Sequence, residues 1–182
     1  MPFLQTEIEG LLVFEPRLFE DERGYFYESF NQQEFHKATG INLPFVQDNH
    51  SFSKYGVLRG LHFQKPPHDQ AKLIKVVKGE IYDVAVDIRK SSPTFGKWLG
   101  FHLSADNKKQ LYLPKGFAHG FVVLSEVAEV LYKCDNFYSP QFEGGIIYND
   151  TQLNIDWLVS ENKLIVSDKD LKLKSLKEIT FE

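Results

Sequence analysis

Lys72-Leu73-Ile74-Lys75-Val76-Val77-Lys78-Gly79-Glu80-Ile81-Tyr82-Asp83-Val84-Ala85-Val86-Asp87-Ile88-Arg89 is the stretch whose reading decides the fold. Two runs rich in β-branched residues flank a Lys-Gly junction, so each run reads as a strand and the junction as a tight hairpin. Alternate side chains of a strand share a face, which sets Asp83, Ala85 and Asp87 against Tyr82, Val84, Val86 and Ile88. The small, acidic face is the one expected to border a pocket.

On either side the same pattern continues. Strands are predicted at Phe45 to Phe52, Val57 to Gln64, Lys97 to Leu103, Gln110 to Leu113, Phe117 to Leu124 and Val127 to Tyr138. Pro66-Pro67, Ser91-Ser92-Pro93 and Pro114-Lys115-Gly116 mark the longer turns between them, and this spacing points to an all-β sandwich or barrel. Upstream, Leu11 to Phe14 is a short strand, Asp21 to Gly24 a turn, and Tyr25 to Phe30 a second strand. One peripheral helix follows, with Asn31 as N-cap, Glu34 in capping-box position and Gly40 as the stop. After Asp150 the pattern is mixed, with Leu153 to Leu158 and a lysine-rich tail from Lys163 expected to wrap the barrel. No repeat or linker divides residues 1–182, which are expected to form one domain.

Composition narrows the function. With 42% hydrophobic residues in 182 the chain has material for a real core. Acidic residues outnumber basic ones 25 to 21 and no basic stripe appears, which argues against a nucleic-acid partner. No apolar run is long enough to span a bilayer, so no membrane role is expected. The single Cys134 excludes an internal disulfide, is expected as a small buried hydrophobe and, with no secretory leader in view, points to the cytoplasm.

Chemistry enters with Val57-Leu58-Arg59-Gly60-Leu61-His62-Phe63-Gln64, an apolar strand carrying an arginine and a histidine. A histidine of ordinary pKa, about 6.5, is mostly a free base at neutral pH. Arg59 and His62 fall on opposite faces of a regular strand, and Gly60 is expected to supply a bulge that brings them together. In the last long strand Tyr132, Cys134, Asn136 and Tyr138 share a face, so two phenols are expected on one wall. A second histidine lies in Pro114-Lys115-Gly116-Phe117-Ala118-His119-Gly120. The pair of segments is similar to the paired motifs of the cupin jelly roll, but Gln64 stands where a metal cupin has a second histidine. His68 or Asp69 would have to replace that ligand, so no metal is expected.

A more specific resemblance runs through Arg23-Gly24 with Phe26 and Glu28, Phe45 to Ser51, Val57 to Gln64, Gly79-Glu80 through Arg89, Ser92 to Gly96, Pro114 through Phe121 and Tyr132-Lys133, as far as Ser167-Asp168-Lys169-Asp170. With these motifs the chain resembles the dTDP-4-dehydrorhamnose 3,5-epimerase family. The resemblance implies a cupin-like jelly-roll barrel with a few short helices, no cofactor, and a homodimer acting on a dTDP-sugar. In a 4-keto sugar the hydrogens on C3 and C5 flank the carbonyl. Inverting each carbon requires a base, an acid across the ring and a cation near the keto oxygen.

By resemblance His62 is the base, Asp170 its partner, Tyr132 the acid and Lys72 the cation, while His119 helps hold the substrate. Asp83 is a rival partner for His62 or for His119. Arg59 and Arg23 suit the diphosphate, since a guanidinium grips phosphate oxygens with two parallel bonds. The resemblance adds Glu28, Gln47, Asp48, Asn49, Glu143 and Lys169 to substrate binding and stacks Tyr138 on thymine. It also implies that the N-terminal strands, with Arg23, Phe26 and Glu28, serve the partner's site. Three other readings stay open: inversion of a single carbon, a metal-dependent cupin, and a non-catalytic sugar-binding barrel.

Overall fold

The computed structural model describes residues 3–42 and 44–179. Its strands are β1 (Phe3–Gln5), β2 (Leu12–Phe14), β3 (Phe19–Asp21), β4 (Gly24–Phe26), β5 (Gln47–Lys54), β6 (Val57–Gln64), β7 (Lys72–Lys78), β8 (Glu80–Asp87), β9 (Trp98–Ser104), β10 (Gln110–Leu113), β11 (Phe117–Val123), β12 (Val127–Cys134), β13 (Glu143–Gly145) and β14 (Ile165–Val166). One sheet has the order β1-β2-β10-β7-β12-β5 and a second the order β13-β6-β11-β8-β9, with β14 parallel to β6. The pair β3-β4 forms a separate hairpin. From β5 to β12 the chain changes sheet at nearly every step; only β8 and β9 are consecutive and paired.

This alternation corrects the hairpin expected at Lys78-Gly79. β7 pairs with β10 and β12, whereas β8 pairs with β9 and β11, so the junction is a corner between sheets. Gly79 is needed there for another reason. Its φ is +73°, and a Cβ would strike the Val127 carbonyl and the Ser125 hydroxyl.

Burial on both faces explains why the strands read as almost continuously apolar. Between the sheets lies a core that includes Ile74, Ile81, Ala85, Leu111, Phe117, Phe121 and Val130. The outer face of the second sheet, Leu58, Val84, Val86 and Val122, packs under the C-terminal segment through Ile146, Leu153, Trp157 and Leu176. The outer face of the first sheet is covered by α1 (Gln32–Thr39), whose Phe35 packs on Leu12, Leu73 and Tyr112. Asn31 caps this helix by accepting from the Gln33 and Glu34 N–H groups, and Gly40 ends it at φ +73°.

Several boundaries differ from expectation. β12 stops at Cys134, and the chain then turns back through Asn136, whose amide donates to the Pro67 and Asp69 carbonyls. β4 ends at Phe26 instead of Phe30, and Leu153 to Leu158 adopts no regular element. Short 3-10 turns at Pro140–Phe142, Glu161–Lys163, Asp170–Lys172 and Leu176–Glu178 complete the C-terminal segment. Among the described residues no helix is long and apolar enough to cross a membrane.

Candidate active site

The site begins with a fault in the β6–β11 ladder. His62 sits opposite His119 and Arg59 opposite Phe121, so Gly60 and Leu61 share the single partner Gly120. Gly60 has φ +122°, and a Cβ there would lie 2.5 Å from the Gly120 Cα and 2.7 Å from the His119 oxygen. This bulge puts Arg59 and His62 on one side, as the expected break in alternation requires, and both line a cavity of about 530 Å³.

His62 Nε2 lies 2.7 Å from Asp170 Oδ1, and Asp170 Oδ2 accepts from the Gly60 N–H at 3.3 Å. A carboxylate only accepts, so Nε2 carries the proton and Nδ1 keeps the lone pair. Burial pushes the His62 pKa below its ordinary value, and Lys72 pushes the same way while Asp170 and Glu143 oppose. The ring is therefore a free base at neutral pH. Asp170 reaches it because β14 runs parallel beside the start of β6, with Ile165 opposite Val57 and Val166 opposite Leu58. The Ser167 hydroxyl then accepts from the Asp170 N–H at 3.1 Å.

Asp83 has a different partner. Its two oxygens lie 3.0 and 2.9 Å from His119 Nε2, and both residues are buried. Asp83 and Asp87, on the same face of β8, are both fully buried, and neither lines the cavity of about 530 Å³ that this face was expected to border; Arg89, Ser92 and Thr94 hold Asp87.

Tyr132 and Lys72 approach from the other sheet. Burial raises the Tyr132 phenol above its ordinary range, so it is a protonated donor at neutral pH. Burial lowers the Lys72 ammonium, with Asp83 and Glu143 among the groups that counter it. The two are in contact, Lys72 Nζ lying 5.7 Å from the Tyr132 ring centroid. Arg59 is steadied on one edge, where Nε donates to Ser53 Oγ at 3.0 Å. His62, Lys72 and Tyr132 also border a second space of about 200 Å³, shared with Gln47, Asn49, Gln64, Gln70, Tyr138 and Glu143. At its rim Glu143 accepts from Lys169 at 2.7 Å and from the Tyr138 hydroxyl at 2.8 Å.

A family model described as dTDP-4-dehydrorhamnose 3,5-epimerase matches residues 5–178. The chain belongs to that family. The dTDP-4-dehydrorhamnose 3,5-epimerase of Shigella flexneri is 59% identical over 171 residues, 94% of this chain and 93% of the relative. The crystal structure of the epimerase from Elizabethkingia anophelis NUHP1 superposes with a TM-score of 0.95 at 53% identity, covering 98% of this chain and 97% of that one. The epimerase of Legionella pneumophila Philadelphia 1, solved in complex with dTDP-4-keto-L-rhamnose, gives 0.94 at 50% identity over 98% of this chain and 94% of its own. The fold is of the cupin type, and the activity is dTDP-4-dehydrorhamnose 3,5-epimerisation, an isomerase reaction of rhamnose biosynthesis.

Not every residue expected at the epimerase site comes together within one chain. Arg23 is paired with Asp21 and 85% exposed, Phe26 is 70% exposed, and Glu28 accepts from Asn31, all away from the two spaces. Asp48 faces away from Gln47 and Asn49, as strand alternation dictates, and meets Lys133 at 2.9 Å. Cys134 is a buried thiol, pushed up to about 11 by burial. Gln64, His68 and Asp69 each have other partners: Gln64, although it borders the second space, donates to the His68 carbonyl, the His68 ring packs on Phe142, and Asp69 lies 3.8 Å from Lys115. Sequence reasoning missed Ser51, Phe121 and the Ile165-Val166-Ser167 wall. The strand in that wall, Ile165–Val166, has two residues and is too short to show periodicity.

Proposed function

We propose that His62 removes the protons from C3 and C5 of dTDP-4-dehydro-6-deoxy-D-glucose and that Tyr132 returns protons from the opposite face, through an enolate held by Lys72. The observation that carries this reading is topological: His62 stands on the second sheet and Tyr132 on the first, so base and acid meet the sugar from opposite walls of one cavity. His62 Nδ1 takes the proton, the electron pair moves onto the keto oxygen, and the Lys72 ammonium stabilises that charge. Tyr132 then protonates carbon on the other face. Each turnover leaves an imidazolium and a phenolate, which exchange with water to restore the starting pair. Asp170 fixes the ring of His62, and His119 contacts the sugar.

Arg59 and Lys169 suit the diphosphate, with Gln47, Asn49 and Glu143 bordering the bound sugar-nucleotide and Tyr138 offering its ring to thymine. Incubation in deuterated water, followed by proton NMR, is expected to show label at both carbons. Label at one carbon or none sinks the two-carbon scheme.

The exposed hairpin β3-β4 supports a homodimer of one jelly-roll unit per chain, in which Arg23, Phe26, Glu28 and Asp48 complete a site across the interface. Phe19, Tyr25 and Phe26 are each more than half exposed, although Arg17 lies over Phe19 and Lys108 over Tyr25, and they form an aromatic surface of the kind that a partner covers. Mixing Arg23→Ala chains with His62→Ala chains is expected to restore activity through mixed dimers; no recovery overturns the shared site. The buried, unpaired Cys134 supports a cytoplasmic location.

A further inference from the structure

Gln64 occupies the position on β6 where a metal cupin carries its second histidine, and the proposed chemistry gives it no task. Its amide nonetheless bonds through both its oxygen and its nitrogen. Gln64 Oε1 accepts from the Ser139 N–H at 2.6 Å, and Nε2 donates to the His68 carbonyl at 2.8 Å and the Phe137 carbonyl at 3.4 Å. Between those two anchors the Tyr138 N–H donates to Gln47 Oε1 at 3.1 Å. Gln64 therefore holds the backbone on both sides of Tyr138 and Gln47 holds its own N–H, while the tyrosine itself is half exposed. The loop is stitched further at Asn136, whose carbonyl accepts from Gln70 at 2.8 Å.

Such anchoring is unusual for an exposed loop, since loops at a rim are ordinarily the mobile part of a fold. Fixing the backbone of a stacking residue before the ligand arrives removes an ordering cost from binding. The anchor is also placed with purpose. Gln64 is two residues from His62 on the same face of β6, and both border the smaller space that Tyr138 edges. One rigid strand thus sets the separation between the base and the aromatic platform.

We propose that Gln64 is a positioning residue for nucleoside recognition: it fixes residues 137–139 so that Tyr138 is held ready to stack on thymine at a distance from His62 set by β6. This rests on the reading of Tyr138 as the thymine platform. The test is a double-mutant cycle on dTDP affinity by calorimetry, with steady-state kinetics on the dTDP-sugar. Tyr138→Ala is expected to weaken dTDP by about tenfold or more, the loss of one base–aromatic stack. Gln64→Ala is expected to weaken dTDP by about tenfold through lost preorganisation and to fall on KM far more than on kcat. In the Tyr138→Ala background Gln64→Ala should add little.

If Tyr138→Ala leaves dTDP affinity intact, the stacking reading fails and the clamp falls with it. If Tyr138→Ala weakens dTDP while Gln64→Ala does not, or weakens it equally in both backgrounds, the clamp alone is overturned. Should Gln64→Ala fail to fold, Gln64→Glu keeps the size and the acceptor for Ser139 but loses both donated bonds. A loss of dTDP affinity that disappears in the Tyr138→Ala background then supports the clamp, and wild-type affinity, or an equal loss in both backgrounds, overturns it.

Discussion

His62 and His119 face each other across adjacent strands, and each gives Nε2 to an aspartate, yet the two pairs are built differently. The side chain of His119 is 10% exposed, and its partner Asp83 comes from the neighbouring strand β8, so the β ladder fixes both. The side chain of His62 is 32% exposed, and its partner arrives from the C-terminal tail, 108 residues on. A base must reach both substrate and water, whereas a residue that holds a sugar needs only a fixed direction. The open pair fits the first task and the walled pair the second.

The largest expected effect separates the two histidines. His62→Ala should cut epimerisation and solvent exchange at both carbons by about 10²- to 10⁴-fold, the usual scale for a positioned acid or base. His119→Ala should act chiefly on KM. Rapid exchange in His62→Ala with none in His119→Ala would reverse the assignment. Asp170→Asn comes next, with turnover slowed by about 10²-fold and dTDP affinity little changed. The sign of its pH effect is fixed. Burial already holds His62 below its ordinary pKa, and Asp170 opposes that shift. Removing the carboxylate lowers the pKa further, so the acid limb of the kcat profile should move to lower pH. A limb that stays or moves up breaks the link between Asp170 and the base.

The two pairs also differ in how far the sequence discloses them. Alternation along β8 put Asp83 and Asp87 on one inward face, and the break at Gly60 was legible because Arg59 and His62 clash in parity. Partners were not. β7 and β8 look like two arms of a hairpin, since local pattern reports burial but not which sheet a strand joins. Gly79 looked like a turn residue, although the approach of Val127 and Ser125 from a distant segment is what excludes a side chain. The tail was least legible. Ile165 and Val166 dock on β6 in a two-residue strand, and only that docking brings Asp170 to His62. The roles of Arg23, Phe26 and Glu28 were read from family motifs, and in this chain none of the three lines the cavity that holds His62.

Asp87 extends the contrast along a single strand. Burial pushes its carboxyl up, but bonds from Arg89, Ser92 and Thr94 outweigh it and hold the pKa at about 2. A folded-state pKa below the unfolded value of 3.8 adds stability above that value, lost as pH falls through about 2. The shift corresponds to about 2 kcal/mol. Asp87→Asn should therefore lose about that much in urea unfolding at pH 7, with the gap to wild type closing towards pH 2. A gap that persists at low pH would assign the loss to packing.

Asp83→Asn should give the smallest change and is the sharpest test of the two designs. Asp83 meets His119 Nε2 through both oxygens, so asparagine keeps one acceptor and turns an amide towards a ring that already donates. The expected result is a rise of about threefold to tenfold in KM, the scale of one compromised hydrogen bond. The acid limb of kcat should not move if His62 is the base, since the carboxylate bonded to His62 is Asp170. Asp170→Asn and Asp83→Asn thus make the same chemical change beside two facing histidines, and only the first should shift the pH profile. If Asp83→Asn moves the limb as far as Asp170→Asn does, the walled pair is coupled to the base, and the division between a reacting histidine and a holding one fails.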